Sequence, residues 1–98
     1  LQYDLQEVAV IDGLFIAINK TRITQNFVKD IDSKHMYDIA FCLANLTDKN
    51  NKYKIGVTTN IRIAHNSIGE LDESWYKARE QVNEMFGKFY PIDVMKDK

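Results

Sequence analysis

The chain has 98 residues, 45% of them hydrophobic, and a formal net charge of −1 at pH 7. This length is typical of one domain, and the apolar content is enough to close a small core, so we expect a single α+β domain over residues 1–98. No stretch approaches the roughly 18 consecutive apolar residues of a membrane-spanning helix, so no membrane partner is expected. The near-zero charge excludes a protein that is strongly basic or acidic as a whole.

The single cysteine, Cys42, lies between Phe41 and Leu43 and has no second cysteine with which to form an internal disulfide. A free cysteine in an apolar stretch usually behaves as a small core residue. Because a chain without an internal disulfide is typical of a reducing compartment, we expect a cytoplasmic protein, with secretion as the alternative.

The first predicted element is a β-hairpin. Apolar runs at Val8–Ile11 and Leu14–Ile18 flank the dipeptide Asp12-Gly13. This dipeptide accepts positive φ at both central turn positions and therefore favours a two-residue type I′ turn.

The next segment, Thr21–Ile31, is compatible with two structures. Ile23, Phe27 and Ile31 are four residues apart, as on a helix, but apolar and polar residues also alternate as in a strand. Its Thr, Asn and Asp residues are poor helix formers, so we favour a strand.

Two further strands are predicted in the middle of the chain. Bulky residues alternate with small ones from Tyr37 to Ala44, which is typical of a central strand that is buried on both sides. After a polar turn at Thr47–Lys52, strict alternation from Tyr53 to Ile63 predicts a strand with one core face and one solvent face.

An amphipathic helix is predicted over residues 70–87. Asp72 is a candidate N-cap, as is Ser67 with Glu70, while Gly87 and Pro91 are suited to end the helix. Its apolar stripe consists of Leu71, Trp75, Ala78, Val82, Met85 and Phe89, with Tyr76, Phe86 and Tyr90 beside it. The expected fold is therefore an antiparallel sheet of four or five strands packed by one long C-terminal helix, which lies on the small residues Ala40, Cys42 and Ala44.

A basic block is the most polarised part of the sequence. Residues 49–68 contain no acid and four bases, namely Lys49, Lys52, Lys54 and Arg62. Three of these alternate to one face of the predicted strand, where they could contact phosphates, although lysines also keep an edge strand soluble. Aromatic residues for base stacking are missing from that face.

A second polar cluster comprises Asp30, Asp32, His35 and Asp38. Carboxylates and an imidazole can bind a divalent metal or act as acid and base, but this spacing matches no established site, so we expect no metal and no cofactor. His65 is expected to be an ordinary histidine at a strand end.

The outer surface of the C-terminal helix is acidic. Glu73, Glu80 and Glu84 could contact a basic partner, and Tyr90 could belong to an aromatic edge suited to a protein interface. We therefore expect a small non-catalytic protein-binding module, of inhibitor, immunity or adaptor type, that binds a protein partner or associates with itself. The alternatives are nucleic-acid binding through the basic block and, third, a metal-dependent enzyme that uses the Asp30–Asp38 cluster.

Overall fold

The structure, a computed structural model, describes residues 5–11, 16–29, 31, 35–58 and 71–94. The elements follow the order β1 (Leu5–Val8), α1 (Tyr37–Leu46), β2 (Ile55–Thr58) and α2 (Glu73–Phe86), and a 3₁₀ helix continues over Gly87–Phe89. The fold is α+β with its longer helix C-terminal, as predicted. The predicted sheet of four or five strands is wrong, because the sheet formed by the described residues has two.

The two strands pair antiparallel, with Leu5 opposite Thr58 and Val8 opposite Ile55. The backbone of β1 is thus hydrogen-bonded to β2 and not to a neighbouring hairpin arm. Residues 9–11 and 16–18, the described parts of the predicted hairpin arms beyond Val8, lie outside the strands. The Asp12-Gly13 turn itself lies outside the described residues.

The predicted strand from Tyr53 to Ile63 is observed only as β2, and residues 59–63 lie outside the described part of the chain. Its predicted core face is wrong at two of the three described positions, since only Ile55 is half-buried. Tyr53 and Val57, both expected to be buried, are 48% and 42% exposed. A two-stranded ribbon does not enclose a core by itself, so alternation along its strands does not determine burial.

The predicted central strand over Tyr37–Ala44 is a helix, α1. Alternation of bulky and small residues suggested a strand, but the residues that pack on the core also fit helical spacing: Met36, Ile39, Ala40, Leu43 and Ala44. Phe41 lies outside that stripe and is also buried. Its ring stacks on that of Phe27, with the ring centroids 4.3 Å apart. A helix that is apolar on more than one side resembles a two-sided buried strand in sequence.

The strand favoured over Thr21–Ile31 is also wrong, since the described residues of this segment form turns and irregular structure. Its backbone groups form hydrogen bonds with side chains instead of with a neighbouring strand. The backbone N–H groups of Thr24 and Gln25 donate to Asn45 Oδ1 at 2.9 and 3.0 Å. Asn45 Nδ2 in turn donates to the Gln25 carbonyl at 3.0 Å.

The side chains of Asp48 and Asn51 add further hydrogen bonds to those of Asn45. We call these three side chains the asparagine network. Asp48 Oδ2 accepts hydrogen bonds from the hydroxyl of Thr24 at 2.6 Å and from the side-chain amide of Gln25 at 2.9 Å. Asn51 Nδ2 donates to the Arg22 carbonyl and to Asn45 Oδ1, both at 3.2 Å. The network therefore fixes residues 22–25 against the C-terminal end of α1.

The α2 helix matches its prediction closely. Asp72 is the N-cap, and its side chain accepts a hydrogen bond from the Trp75 N–H at 3.1 Å. Gly87 is the C-cap. The other proposed start of the helix, Ser67 with Glu70, lies outside the described residues.

The N-cap gives a first testable prediction. Asp72→Ala removes the acceptor for the Trp75 N–H, so we expect a loss of about 1 kcal/mol in the free energy of unfolding. Lys77→Ala, at an exposed position on the same helix, should change it by less than about 0.5 kcal/mol. Urea denaturation followed by circular dichroism measures both; equal effects would contradict the capping role.

The core lies between the two helices. Its buried members are Ile31, Ala40, Leu43, Ala78, Val82 and Phe86. Helix α2 does lie on Ala40 and Ala44, as expected, but these belong to a helix and Cys42 is outside the cluster. The ends of the apolar stripe differ from the prediction. Leu71 and Phe89 are 61% and 40% exposed, whereas Phe86 is buried.

Candidate functional site

A cleft of about 580 Å³ lies between the C-terminal end of α1, the loop that follows it and residues 89–94. We call it the lysine cleft because Lys49, Lys52 and Lys54 line it. The remaining lining residues are Glu7, Leu46, Thr47, Asp48, Phe89, Pro91, Ile92, Asp93 and Val94.

Local hydrogen bonds fix the loop that carries the lysines. The Thr47 hydroxyl donates to the Leu43 carbonyl at 2.7 Å and so ends α1. Asp48 Oδ1 then accepts from the Asn50 N–H at 2.9 Å, and the Asn51 N–H donates to the Asp48 carbonyl at 3.0 Å. This is the polar turn predicted at Thr47–Lys52, and it places Lys49 and Lys52 at the cleft.

The opposite wall is apolar and comes from the segment after α2. The Tyr90 N–H donates to the Gly87 carbonyl at 3.1 Å, and the Tyr90–Pro91 peptide bond is cis. Phe89 is 40% exposed at the cleft, whereas Ile92 is half-buried and packs against the core. The cleft therefore has an apolar wall anchored on the helix pair.

The charges in the cleft are balanced. Lys54 Nζ lies 3.4 Å from Glu7 Oε1, which β1 contributes, and Asp48 and Asp93 also line the cleft. Three lysines thus share the space with three carboxylates. The described lysines of the basic block therefore share their surroundings with carboxylates, although the block is purely basic in sequence.

The other predicted site residues that the structure describes do not line this cleft. Glu73, Glu80 and Glu84 are exposed on α2 and are not among the lining residues. Tyr90, 43% exposed, is adjacent in sequence to the lining residues Phe89 and Pro91. Arg62 lies outside the described residues.

The predicted acidic cluster is only partly described, since Asp30 and Asp32 lie outside the described residues, as does His65. Asp38 Oδ1 accepts a hydrogen bond from the Ile39 N–H at 2.8 Å, in the first turn of α1. His35 Nε2 lies 3.6 Å from Asp72 Oδ1, the α2 cap. Among the described residues no three His, Cys, Asp or Glu side chains are grouped to hold a metal ion.

Sequence reasoning missed an aromatic surface near the start of α2. The Arg79 guanidinium lies 5.4 Å from the ring centroid of Trp75 and 5.3 Å from that of Tyr76. The two rings contact each other edge-on at 5.0 Å. The spacing of residues 75, 76 and 79 on a helix could have indicated this cluster, because i, i+3 and i, i+4 pairs face each other.

Within the described residues, no helix has the length and apolar character needed to cross a membrane. Comparisons of the chain with protein-family models, with curated proteins and with solved structures gave no match. The lysine cleft and the surfaces around it are therefore the basis for inferring a function.

Proposed function

We propose that this chain is a small non-catalytic protein-binding module and that the lysine cleft receives a peptide segment of its partner. The observation that carries the proposal is the composition of the cleft: an apolar wall faces a rim with charges of both signs. A second copy of the chain is one possible source of that segment, so self-association is one form of the proposal.

The apolar wall supplies the affinity in this proposal. Phe89 presents a partly exposed aromatic ring next to Pro91 and Ile92. An apolar side chain placed there would remove this surface from water, and aromatic residues are enriched among the residues that dominate binding energies. The volume of the cleft lies within the roughly 300–1,000 Å³ of ordinary binding pockets.

The charged rim orients the bound peptide in this proposal. Because its charges have both signs, it also argues against the alternative of nucleic-acid binding. A phosphate backbone is held by cations whose counterions are released on binding. Here Glu7 is paired with Lys54, and the carboxylates of Asp48 and Asp93 line the same cleft, so a polyanion would meet repulsion as well as attraction. A peptide, which carries dipoles and charges of both signs, suits such a rim better.

The proposal is tested by selecting random peptides from a phage-displayed library on the immobilised chain. We expect selected peptides to contain an apolar anchor residue and to bind in fluorescence anisotropy. Phe89→Ala should weaken their binding at least about tenfold, because it removes the exposed part of the wall. Lys77→Ala, on α2 and away from the lining residues, should leave the affinity unchanged.

Three results would overturn the proposal: no peptide is enriched, the selected peptides bind Phe89→Ala as tightly as the original chain, or Lys77→Ala weakens them equally. A labelled single-stranded oligonucleotide serves as the competing probe. Oligonucleotide binding that falls steeply with salt and is lost in Lys49→Glu would establish the alternative function instead.

A further inference from the structure

A second cavity, of about 590 Å³, lies between α1, the segment 16–23 and residues 51–56. Nine of its 17 described lining residues are apolar, and the asparagines Asn19, Asn45 and Asn51 also line it. The apolar residues that line it are Ile11, Ile16, Ala17, Ile18, Ile23, Phe41, Cys42, Leu46 and Ile55. Such a volume and composition are typical of a site for a small molecule with an apolar body.

Cys42 contributes to the apolar wall and not to the charge of the cavity. Its side chain is buried, and burial raises the pKa of its thiol. The thiol is therefore protonated at neutral pH, and a protonated buried thiol behaves as a small apolar group.

Among the described residues that line the cavity, the charged ones are cations. They are Arg22, Lys52 and Lys54, and no Asp or Glu is among the described lining residues. This distinguishes the cavity from the lysine cleft, where carboxylates balance the lysines. Lys54 is paired with Glu7, and Lys52 also lines the lysine cleft with its carboxylates, so the excess positive charge of the cavity comes mainly from Arg22.

Arg22 is held in position by contacts on two sides. Its guanidinium carbon lies 4.8 Å from the ring centroid of Tyr53, which orients the planar group. Its backbone carbonyl accepts a hydrogen bond from Asn51 of the asparagine network. A positioned guanidinium presents a planar set of donors that matches a carboxylate.

We infer that this cavity binds a small amphipathic carboxylate. Its apolar body lies among the isoleucines, Phe41 and Cys42, and its carboxylate lies against Arg22 with Lys52 nearby. The inference is independent of the peptide proposal, because Arg22, Phe41 and Cys42 do not line the lysine cleft.

Decanoate, used below its micelle concentration, is the probe, and 1-decanol is its uncharged counterpart of the same chain length. Isothermal titration calorimetry should show saturable binding of one decanoate per chain, with decanol at least about tenfold weaker because it lacks the charge-assisted hydrogen bonds. Arg22→Gln should weaken decanoate about tenfold and remove most of its advantage over decanol. Lys20→Gln, at an exposed position that does not line the cavity, should bind decanoate like the original chain.

A second variant locates the site independently of charge. Ala17 is exposed and lines the cavity, so Ala17→Trp should fill part of the cavity and reduce binding of both probes without removing a core residue. Circular dichroism confirms that each variant is folded, and Ala17→Trp decides the matter if Arg22→Gln does not fold.

The inference is overturned by absence of saturable decanoate binding, by equal affinity for decanoate and decanol, or by folded Arg22→Gln and Ala17→Trp variants that bind decanoate unchanged. Loss of peptide binding with decanoate binding intact would contradict only the proposed function, and the reverse result would contradict only this inference.

Discussion

The Phe86→Ala variant is expected to lose about 3–5 kcal/mol of the free energy of unfolding, because it removes a large buried side chain and leaves a cavity. Phe86 is 7% exposed and belongs to the core cluster with Val82 and Leu43. Urea denaturation followed by circular dichroism measures the loss. A small domain has a total stability of roughly 5–15 kcal/mol, so this single change should remove a large share of it.

The matched control is Phe89→Ala, three residues further along. Phe89 was the residue that sequence periodicity assigned to the apolar stripe, but it is 40% exposed and lines the lysine cleft. Its replacement should cost only about 1 kcal/mol, since less apolar surface is returned to water. A larger cost for Phe89→Ala than for Phe86→Ala would contradict the placement of the core.

The Asn45→Ala variant is expected to lose roughly 3 kcal/mol, because one buried and several part-buried backbone groups lose their hydrogen-bond partners. Asn45 is 6% exposed, and its side-chain oxygen accepts from the N–H groups of Thr24 and Gln25 and from Asn51. Its amide nitrogen donates to the carbonyls of Gln25 and Phe41. Thermal or urea denaturation measures this change.

The control for Asn45 is Asn50→Ala, which alters an exposed asparagine in the same polar segment. Only the backbone N–H of Asn50 is seen bonded to Asp48, and alanine retains it, so the change should stay within about 0.5 kcal/mol. Amide hydrogen exchange adds a local measurement: the N–H groups of Thr24 and Gln25 should exchange faster in Asn45→Ala. Unchanged exchange at both amides would contradict the network.

Helix α2 was predictable because several independent signals agree. A helical apolar period, an acidic cap at Asp72 and terminating residues at Gly87 and Pro91 all indicate the same element. The period did not, however, distinguish Phe86 from Phe89 as the last core residue. Which of the two is buried depends on where α1 lies, and the sequence of α2 carries no information about that.

Helix α1 was mispredicted because its local pattern supports two structures. Ile39, Phe41 and Leu43 alternate with small residues, while Ala40, Leu43 and Ala44 have helical spacing. What decides between them is non-local: α2 packs on one side of α1, and Phe27 stacks on Phe41. Tertiary contacts of this kind override local preference.

The candidate site was predictable only in part. The clustering of Lys49, Lys52 and Lys54 in sequence led to the cleft that they line, because neighbours in a short loop remain neighbours in space. The carboxylate of Glu7 and the wall formed by Phe89 and Ile92 come from distant parts of the chain. Their position beside the lysines supports the proposal of a peptide partner over the alternative of a polyanion.

The helix pair forms the core and anchors one end of the lysine cleft. A NOESY spectrum of the isotopically labelled chain tests this pair most directly. We expect helical carbon shifts over residues 37–46 and methyl cross-peaks from Leu43 to Val82 and from Leu46 to Ile92. Strand-like shifts over residues 37–44, with no cross-peaks between α1 and α2, would contradict both the core and the cleft built on it.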